Sequence, residues 1–368
     1  MDCAPPKERR VTLAMVAASA GVSIATVSKV LNGRNDVAST TRAHVQEALR
    51  QHDYAASAPQ RAASEAHPTV EVEVDRALRA YSSLIVQGVI DAGAEAGVAV
   101  VVSTHVGSAG NKPAEVPAVW ARELAAAGRR AVIAVTSELT ADHLRALSRA
   151  RLPLVLIDPM NKPSARVTSV GSTNFTGGLT ATEHLLVLGH RRIGYVGGPA
   201  SATCNHARVH GYRAAMEADG APVLPGYVTT GLFDYANGVA KGGAMLDLPV
   251  PPTAIFAGCD EIALGVFEAA RSRGLRVPQD LSVVGFDDTQ LARIASPPLT
   301  TVRQSLREIG RVALRTALRL AAGETIGSHH VELATALVVR GSTAPPASGV
   351  APRCRGLAPG NSGAVSRP

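Results

Sequence analysis

The chain has 368 residues, 46% of them hydrophobic, and a formal net charge of +7. That is more than one ordinary domain needs, with apolar content for sizeable cores, which excludes a wholly disordered chain. The longest apolar runs, such as Leu154-Val155-Leu156-Ile157, fall far short of the ~20 residues a helix needs to cross a bilayer, and Lys7-Glu8-Arg9-Arg10 leads into no apolar segment of the export type.

Basicity gathers at the ends. Residues 1–61 hold eight Lys/Arg against five Asp/Glu, and residues 344–368 hold three Arg and no acid, so the middle is close to neutral. That distribution fits a nucleic-acid contact at one end. Four cysteines, Cys3, Cys204, Cys259 and Cys354, are scattered without CxxC or zinc-finger spacing, which reads as reduced cytosolic thiols and no metal.

In chain order, residues 11–54 read as short helices. Thr12 is placed to cap the first, whose Leu13, Val16 and Ala17 share a face. Gly21 supplies a tight turn, because a positive φ costs glycine least. Ser23 caps a second helix that turns Val27, Val30 and Leu31 inward and Ile24, Ala25, Ser28 and Lys29 outward near its start. Asn32-Gly33 suits its left-handed end. A third helix over 39–51 closes the small core with Val45, Ala48 and Leu49.

Residues 55–69, rich in Ala, Ser and Pro, read as a linker or hinge. From 70 to 343, apolar strands at 98–103, 131–135, 153–158, 192–196, 254–257 and 281–285 alternate with helices such as 120–127, 177–188, 208–219 and 261–273. Continuous apolar strands alternating with helices predict parallel sheets covered on both faces, whose ligands sit beyond the carboxyl ends of the strands. Asp260 is placed to cap the helix over 261–273. His329-His330 reads as surface strand. Residues 344–368, rich in Pro and Gly, read as a disordered tail.

Helix–Gly–helix is by itself a common pattern. Here, however, Val11-Thr12-Leu13, Ala20-Gly21-Val22-Ser23, Thr26-Val27-Ser28, Val30-Leu31-Asn32-Gly33, Val37, Thr41-Arg42 and Tyr54 stand together. The string resembles the DNA-binding head of the lactose-repressor (LacI/GalR) family. The resemblance implies that Ile24, Ala25 and Lys29 occupy base-reading positions and that Thr12, Ser23, Thr26, Ser28 and Asn32 occupy phosphate-contacting ones. The chemistry agrees, since short hydroxyls and amides bond phosphate and a cation can reach guanine O6 and N7. Two departures stand out. Val37-Ala38 replaces the usual Val-Ser before the third helix, so the cap shifts to Ser39 or weakens. In the linker, Ala56, Ser57 and Ala63, with Pro59 between, replace the usual Pro-Asn and minor-groove leucine, and alanine is a poor wedge.

The body is similar to the same family's effector domain and to periplasmic sugar-binding proteins. The similarity runs through Val170-Gly171-Ser172-Thr173-Asn174, Leu188-Gly189-His190-Arg191-Arg192-Ile193, Val196-Gly197-Gly198, Gly211-Tyr212-Arg213-Ala214-Ala215, Val283-Val284-Gly285-Phe286-Asp287-Asp288 and Pro297-Pro298-Leu299-Thr300-Thr301-Val302. It implies two doubly wound α/β lobes joined by three crossovers, placed near Gly171, Pro298 and Thr325. The N-lobe would hold 70–170 and about 300–324, and the C-lobe 171–297 and about 328–343. It also implies an interlobe effector, sugar-like, touched by Arg208 and Asp287 first, then by Asp158, Gln304, Asp75 and Phe233. Carboxylates and a guanidinium suit vicinal hydroxyls, and an aromatic ring suits a sugar face. Cys259 stands where the family often has Asn or Ser.

The expected whole is a cytoplasmic, homodimeric repressor of a carbohydrate operon, with operator DNA and a small effector as partners and no cofactor. Two alternatives are an exported sugar-binding protein and a Rossmann-like enzyme. The first leaves the head without purpose, and the second lacks GxGxxG, GxxxxGK[ST] and GxSxG.

Overall fold

The computed structural model describes residues 12–31, 37–52, 68–75, 77–105, 116–161 and 166–347. The chain divides into a unit ending at Ala66 and a unit from His67 onward.

The first unit holds α1 (Leu13–Ala20), α2 (Ile24–Leu31) and α3 (Ser39–Gln51). Val16, Ala17, Val27, Val30, Val45 and Ala48 form its core. Gly21 ends α1 at φ 65°, the left-handed geometry that lets α2 turn away. Ser23 caps α2, its Oγ accepting from the Thr26 backbone N–H at 3.1 Å. One capping expectation needs correction, and at α3 the cap weakens instead of shifting. Thr12 holds the N-cap position of α1 but its side chain makes no cap bond. The carbonyl of Ala38 accepts from the Arg42 N–H, so alanine, not Ser39, sits at the cap of α3, without a side-chain acceptor. The Leu31 side chain, Asn32 and the linker residues Ala56, Ser57, Pro59 and Ala63 lie outside the described residues.

The second unit runs β1 (Thr69–Asp75), α4 (Ala80–Ala96), β2 (Ala99–His105), α5 (Pro117–Ala126), β3 (Arg129–Val135), α6 (Ala141–Arg149), β4 (Leu154–Ile157) and β5 (Thr168–Ser172). It continues through α7 (Asn174–Val187), β6 (Ile193–Val196), α8 (Thr203–Ala218), β7 (Val228–Thr229), α9 (Tyr235–Leu246), β8 (Ala254–Ala257), α10 (Asp260–Arg271) and β9 (Ser282–Asp287). α11 (Gln290–Ile294), β10 (Thr300–Arg303), α12 (Leu306–Ala321), β11 (His330–Leu333) and β12 (Ala336–Val338) complete it.

Two six-stranded sheets result, ordered β11-β5-β4-β3-β1-β2 and β12-β10-β9-β8-β6-β7. Every pair is parallel except β10 with β12. The strands are apolar because helices cover both faces: Val283, Val284, Ile255 and Phe256 are fully buried.

The chain passes between the lobes three times, and the last two crossings differ from the sequence expectation. β10 pairs with β9, so residues 300–303 belong to the second lobe, and the crossing falls at Gln304-Ser305 instead of Pro298. β11 pairs with β5, so residues 330–333 belong to the first lobe, and the last crossing falls at Ala334-Thr335 instead of Thr325. Both strands are short, and β11 is only half-buried, which leaves no apolar run to read. Of the residues read as tail, 344–347 are described and 348–368 lie outside the described residues. Ala344 is fixed through its carbonyl, which accepts from His190 Nε2 and Ser282 Oγ, both at 2.9 Å.

Candidate functional site

In the first unit, Ser23, Ile24, Ala25 and Lys29 are exposed and Thr26 and Ser28 half-exposed, as is fitting for the start of a helix offered to a partner. Ile24, an aliphatic side chain, is 52% exposed. Ser23 and Thr26 hydroxyls bond each other at 2.9 Å. Thr12 is exposed just ahead of α1.

In the second unit, a cavity of about 270 Å³ opens between the lobes. It lies beyond the carboxyl ends of β1, β4 and β9, where doubly wound sheets place ligands. Asp75, Asp158, Arg208, Phe233 and Asp287 all line it. Gln304 does not. It stands behind Asp287, donating Nε2 to Oδ1 at 2.7 Å, while its own Oε1 is buried without a partner.

Arg208 is the centre of the second-lobe wall. It projects from α8, which packs so tightly on α7 that a Cβ at Gly178 would lie 2.3 Å from the Arg208 carbonyl oxygen. Its Nε donates to Asn174 Oδ1 at 2.8 Å and its Nη1 to the Gly258 carbonyl at 2.6 Å. The guanidinium stacks 3.8 Å above the Phe286 ring and stands 5.8 Å from the Phe233 ring. Asp287 Oδ1 lies 3.9 Å from Nη1.

Asp158, from the first lobe, accepts a short bond from Tyr81 Oη, a residue that sequence reasoning missed. Burial pushes both Asp158 and Asp287 above the usual carboxylate range, and Arg208 only partly offsets it. Such carboxyls gain from hydroxyl donors that replace lost water. Three lining residues, Thr136, Asp158 and Asp287, take left-handed backbone at φ 50°, 42° and 115°. Strain of that kind concentrates at functional sites.

Asp260 needs correction. The N-cap of α10 is Cys259, whose Sγ accepts from the Ile262 N–H. Asp260 turns inward instead. It accepts from the Thr289 N–H, the Thr289 hydroxyl and the Thr301 hydroxyl at 2.7, 2.9 and 2.6 Å, tying α10 to the far ends of β9 and β10. Burial lifts it to about 6. Two buried thiols, Cys204 and Cys259, complete this wall. Burial pushes the Cys204 thiol up to about 12, so it stays neutral and packs as a small apolar group.

Residues 12–57 match the family described as bacterial regulatory proteins, lacI family, and residues 182–343 match a periplasmic binding protein-like domain. Catabolite control protein A of Priestia megaterium is 32% identical over 335 residues, 90% of this chain and 99% of that protein. Among solved structures, a complex of the transcriptional regulator CelR with cellobiose is 33% identical, covers 90% of this chain and all of its own, and has a TM-score of 0.68. The lac repressor dimer bound to operator and the anti-inducer ONPF is 28% identical, covers 91% and 100%, and has a TM-score of 0.66.

Proposed function

The chain belongs to the lacI family of bacterial regulatory proteins, and on that premise we propose that it represses a carbohydrate-utilisation operon under control of a neutral sugar held between its lobes. It is a DNA-binding transcription regulator. α2 enters the major groove, Lys29 reads a guanine, Ile24 and Ala25 meet thymine methyls, and Thr12, Ser23, Thr26, Ser28 and Asn32 hold phosphates. The chain works in the cytoplasm as a homodimer, because one head makes too few phosphate contacts and a two-fold matches a near-palindromic operator. The ligand is bound and released unchanged.

The observation that carries the sugar reading is the placement of Asp158 and Asp287, from opposite lobes, around the stacked Arg208 in a cavity of about 270 Å³. The lining adds Asp75, Glu138, Asp260 and Glu261 to these acids, while its two arginines, Arg79 and Arg208, already have partners. Carboxyls that burial shifts toward the neutral form offer an O–H donor as well as acceptors, which suits the hydroxyls of an uncharged polyol.

The test is thermal shift of the full chain against mono- and disaccharides, followed by fluorescence anisotropy on DNA upstream of its own gene. A cleft ligand at about 100 times its Kd stabilises by about 2.7 kcal/mol and should change operator affinity. Stabilisation by sugar phosphates or sugar acids, with none by neutral sugars, would overturn the reading.

A further inference from the structure

A second cavity, of about 440 Å³, lies in the first lobe at the opposite edge of its sheet from the cleft. Its lining includes Leu154 at the start of β4, Thr168 at the start of β5, and His329 just ahead of β11. Aliphatic side chains, Leu144, Leu147, Leu152 and Leu320 among them, make most of the wall. The polar remainder is Ser148, Thr168, His329, Arg151 and Arg166, with no carboxylate. This inverts the cleft, where acids dominate.

Two observations separate this hollow from ordinary surface. First, Arg151 and Arg166, neither with a carboxylate partner among the described residues, line the same leucine-walled hollow, which holds no acid. Second, Arg151 takes φ 55° immediately after Ala150, the C-cap of α6. That is the position glycine ordinarily holds. Among the described residues five non-glycines have positive φ. Three line the cleft, Asp288 adjoins it, and Arg151 alone lies on the second cavity. The backbone strain that marks the cleft therefore marks this hollow too.

We propose that this cavity is a second small-molecule site, for an organic anion with an apolar body. The guanidiniums of Arg151 and Arg166 take the carboxylate or phosphate, because a planar fork binds two oxygens at once. The leucine wall takes the body, which a bare inorganic ion lacks. The place has a regulatory consequence. All six strands of this sheet run parallel, so the chain arriving from the first unit enters β1 on the edge that carries the cavity. Only β3 separates β1 from β4, about 10 Å in strand spacings. A ligand here acts two strands from β1, the first strand of this lobe after the chain leaves the first unit.

The test is isothermal titration of the full chain with phenyl phosphate, phenylacetate, inorganic phosphate and benzyl alcohol. Arg151→Gly removes the guanidinium and relieves the left-handed backbone, so it keeps the fold; Arg166→Ala alters an exposed side chain. Saturable binding of phenyl phosphate or phenylacetate is expected, weakened at least tenfold in each variant, with inorganic phosphate and benzyl alcohol at least tenfold weaker. The better of the two aryl anions identifies the head group. Equal affinity for wild type and both variants would overturn the proposal. So would equal affinity for inorganic phosphate and phenyl phosphate, or no saturable binding of either aryl anion.

Discussion

The two walls of the interlobe cleft are built differently. On the second lobe, Arg208 is held by Asn174, Gly258 and Phe286, Asp287 by Gln304, and Asp260 by Thr289 and Thr301, all buried. On the first lobe, the Tyr81–Asp158 bond is only half-buried, and Glu138 and Arg79 are exposed. The difference teaches how burial divides the walls: on the proposed reading the second-lobe wall is preorganised for the ligand, and the more solvent-exposed first-lobe wall costs less to rearrange.

The largest expected effect breaks the rigid wall at its centre. Arg208→Ala strips Asn174 Oδ1 and the Gly258 carbonyl of their donor and leaves Asp287 with Gln304 but no cation, all in a buried site. The cost is about 3–5 kcal/mol of stability, read by urea denaturation, with effector response abolished. Asp287→Ala should also abolish the response. Operator binding should survive in whichever variant folds, since both residues lie outside the unit that carries α1–α3. If both folded variants lose operator binding but keep effector binding, the wall has been misassigned.

The second effect is a pH dependence seated on the same wall. Asp260 stands at about 6 in the folded chain, above its ~3.9 when unfolded. The folded state therefore holds that proton more tightly. The stability it contributes is fully present below pH ~4 and is lost as pH rises through 6. Asp158 and Asp287, raised by burial, act with the same sign. His184 and His190, lowered by burial, act with the opposite one, costing stability as pH falls below ~6.5. Asp260→Asn isolates the first contribution. Wild-type stability minus variant stability should shrink between pH 4 and 7 by on the order of 2 kcal/mol, at about 1.4 kcal/mol per unit. Calorimetric melting across that range checks it, and a constant difference would show that Asp260 does not titrate there.

The more exposed wall should yield smaller numbers. Tyr81→Phe removes one hydrogen bond to Asp158 and no packing. A bond to a partly charged acceptor contributes about 1 kcal/mol, so effector affinity should fall roughly fivefold while the melting point barely moves. A drop in stability as large as that of Arg208→Ala would make the two walls equivalent.

Legibility in the sequence divided local signals from non-local ones. Apolar runs placed β2, β3 and β4 in the first lobe and β6, β8 and β9 in the second within two residues, while the short β7 and β12 gave no signal. What failed was non-local. Asp260 before Glu261-Ile262 has the local look of a helix cap, and only partners 29 and 41 residues away draw it inward. Tyr81 meets Asp158 across 77 residues, which no spacing announces. β10 and β11 are four-residue strands whose lobe is decided by pairing, not by composition. In the first unit, by contrast, α2 and α3 were readable throughout, because a three-helix core rests on neighbouring periodicities.

The smallest expected effect concerns the one ion pair that, among the described residues, bridges the walls at the cavity lining. Arg79 Nη1, just ahead of α4 in the first lobe, lies 2.8 Å from Glu261 Oε2 in the first turn of α10. Glu261 sits well there, since carboxylates favour helix N-termini. The arginine side chain is 47% exposed, so water screens the pair. Exposed pairs contribute about 0.2–1 kcal/mol, a factor of about 1.4–5 in an equilibrium. If the pair latches the lobes over the ligand, Arg79→Glu and Glu261→Arg should each weaken effector binding within that range. Together they should restore it, because the reversed pair spans the same gap. Each single change also alters the charge of an already acidic cleft, so only the coupling in the double-mutant cycle measures the latch. That coupling should fade in high salt, unlike the loss caused by Tyr81→Phe. Additive single effects with no restoration would mean that the lobes close through Asp158 and Tyr81 on the bound ligand alone, and that Arg79 and Glu261 meet only as neighbours.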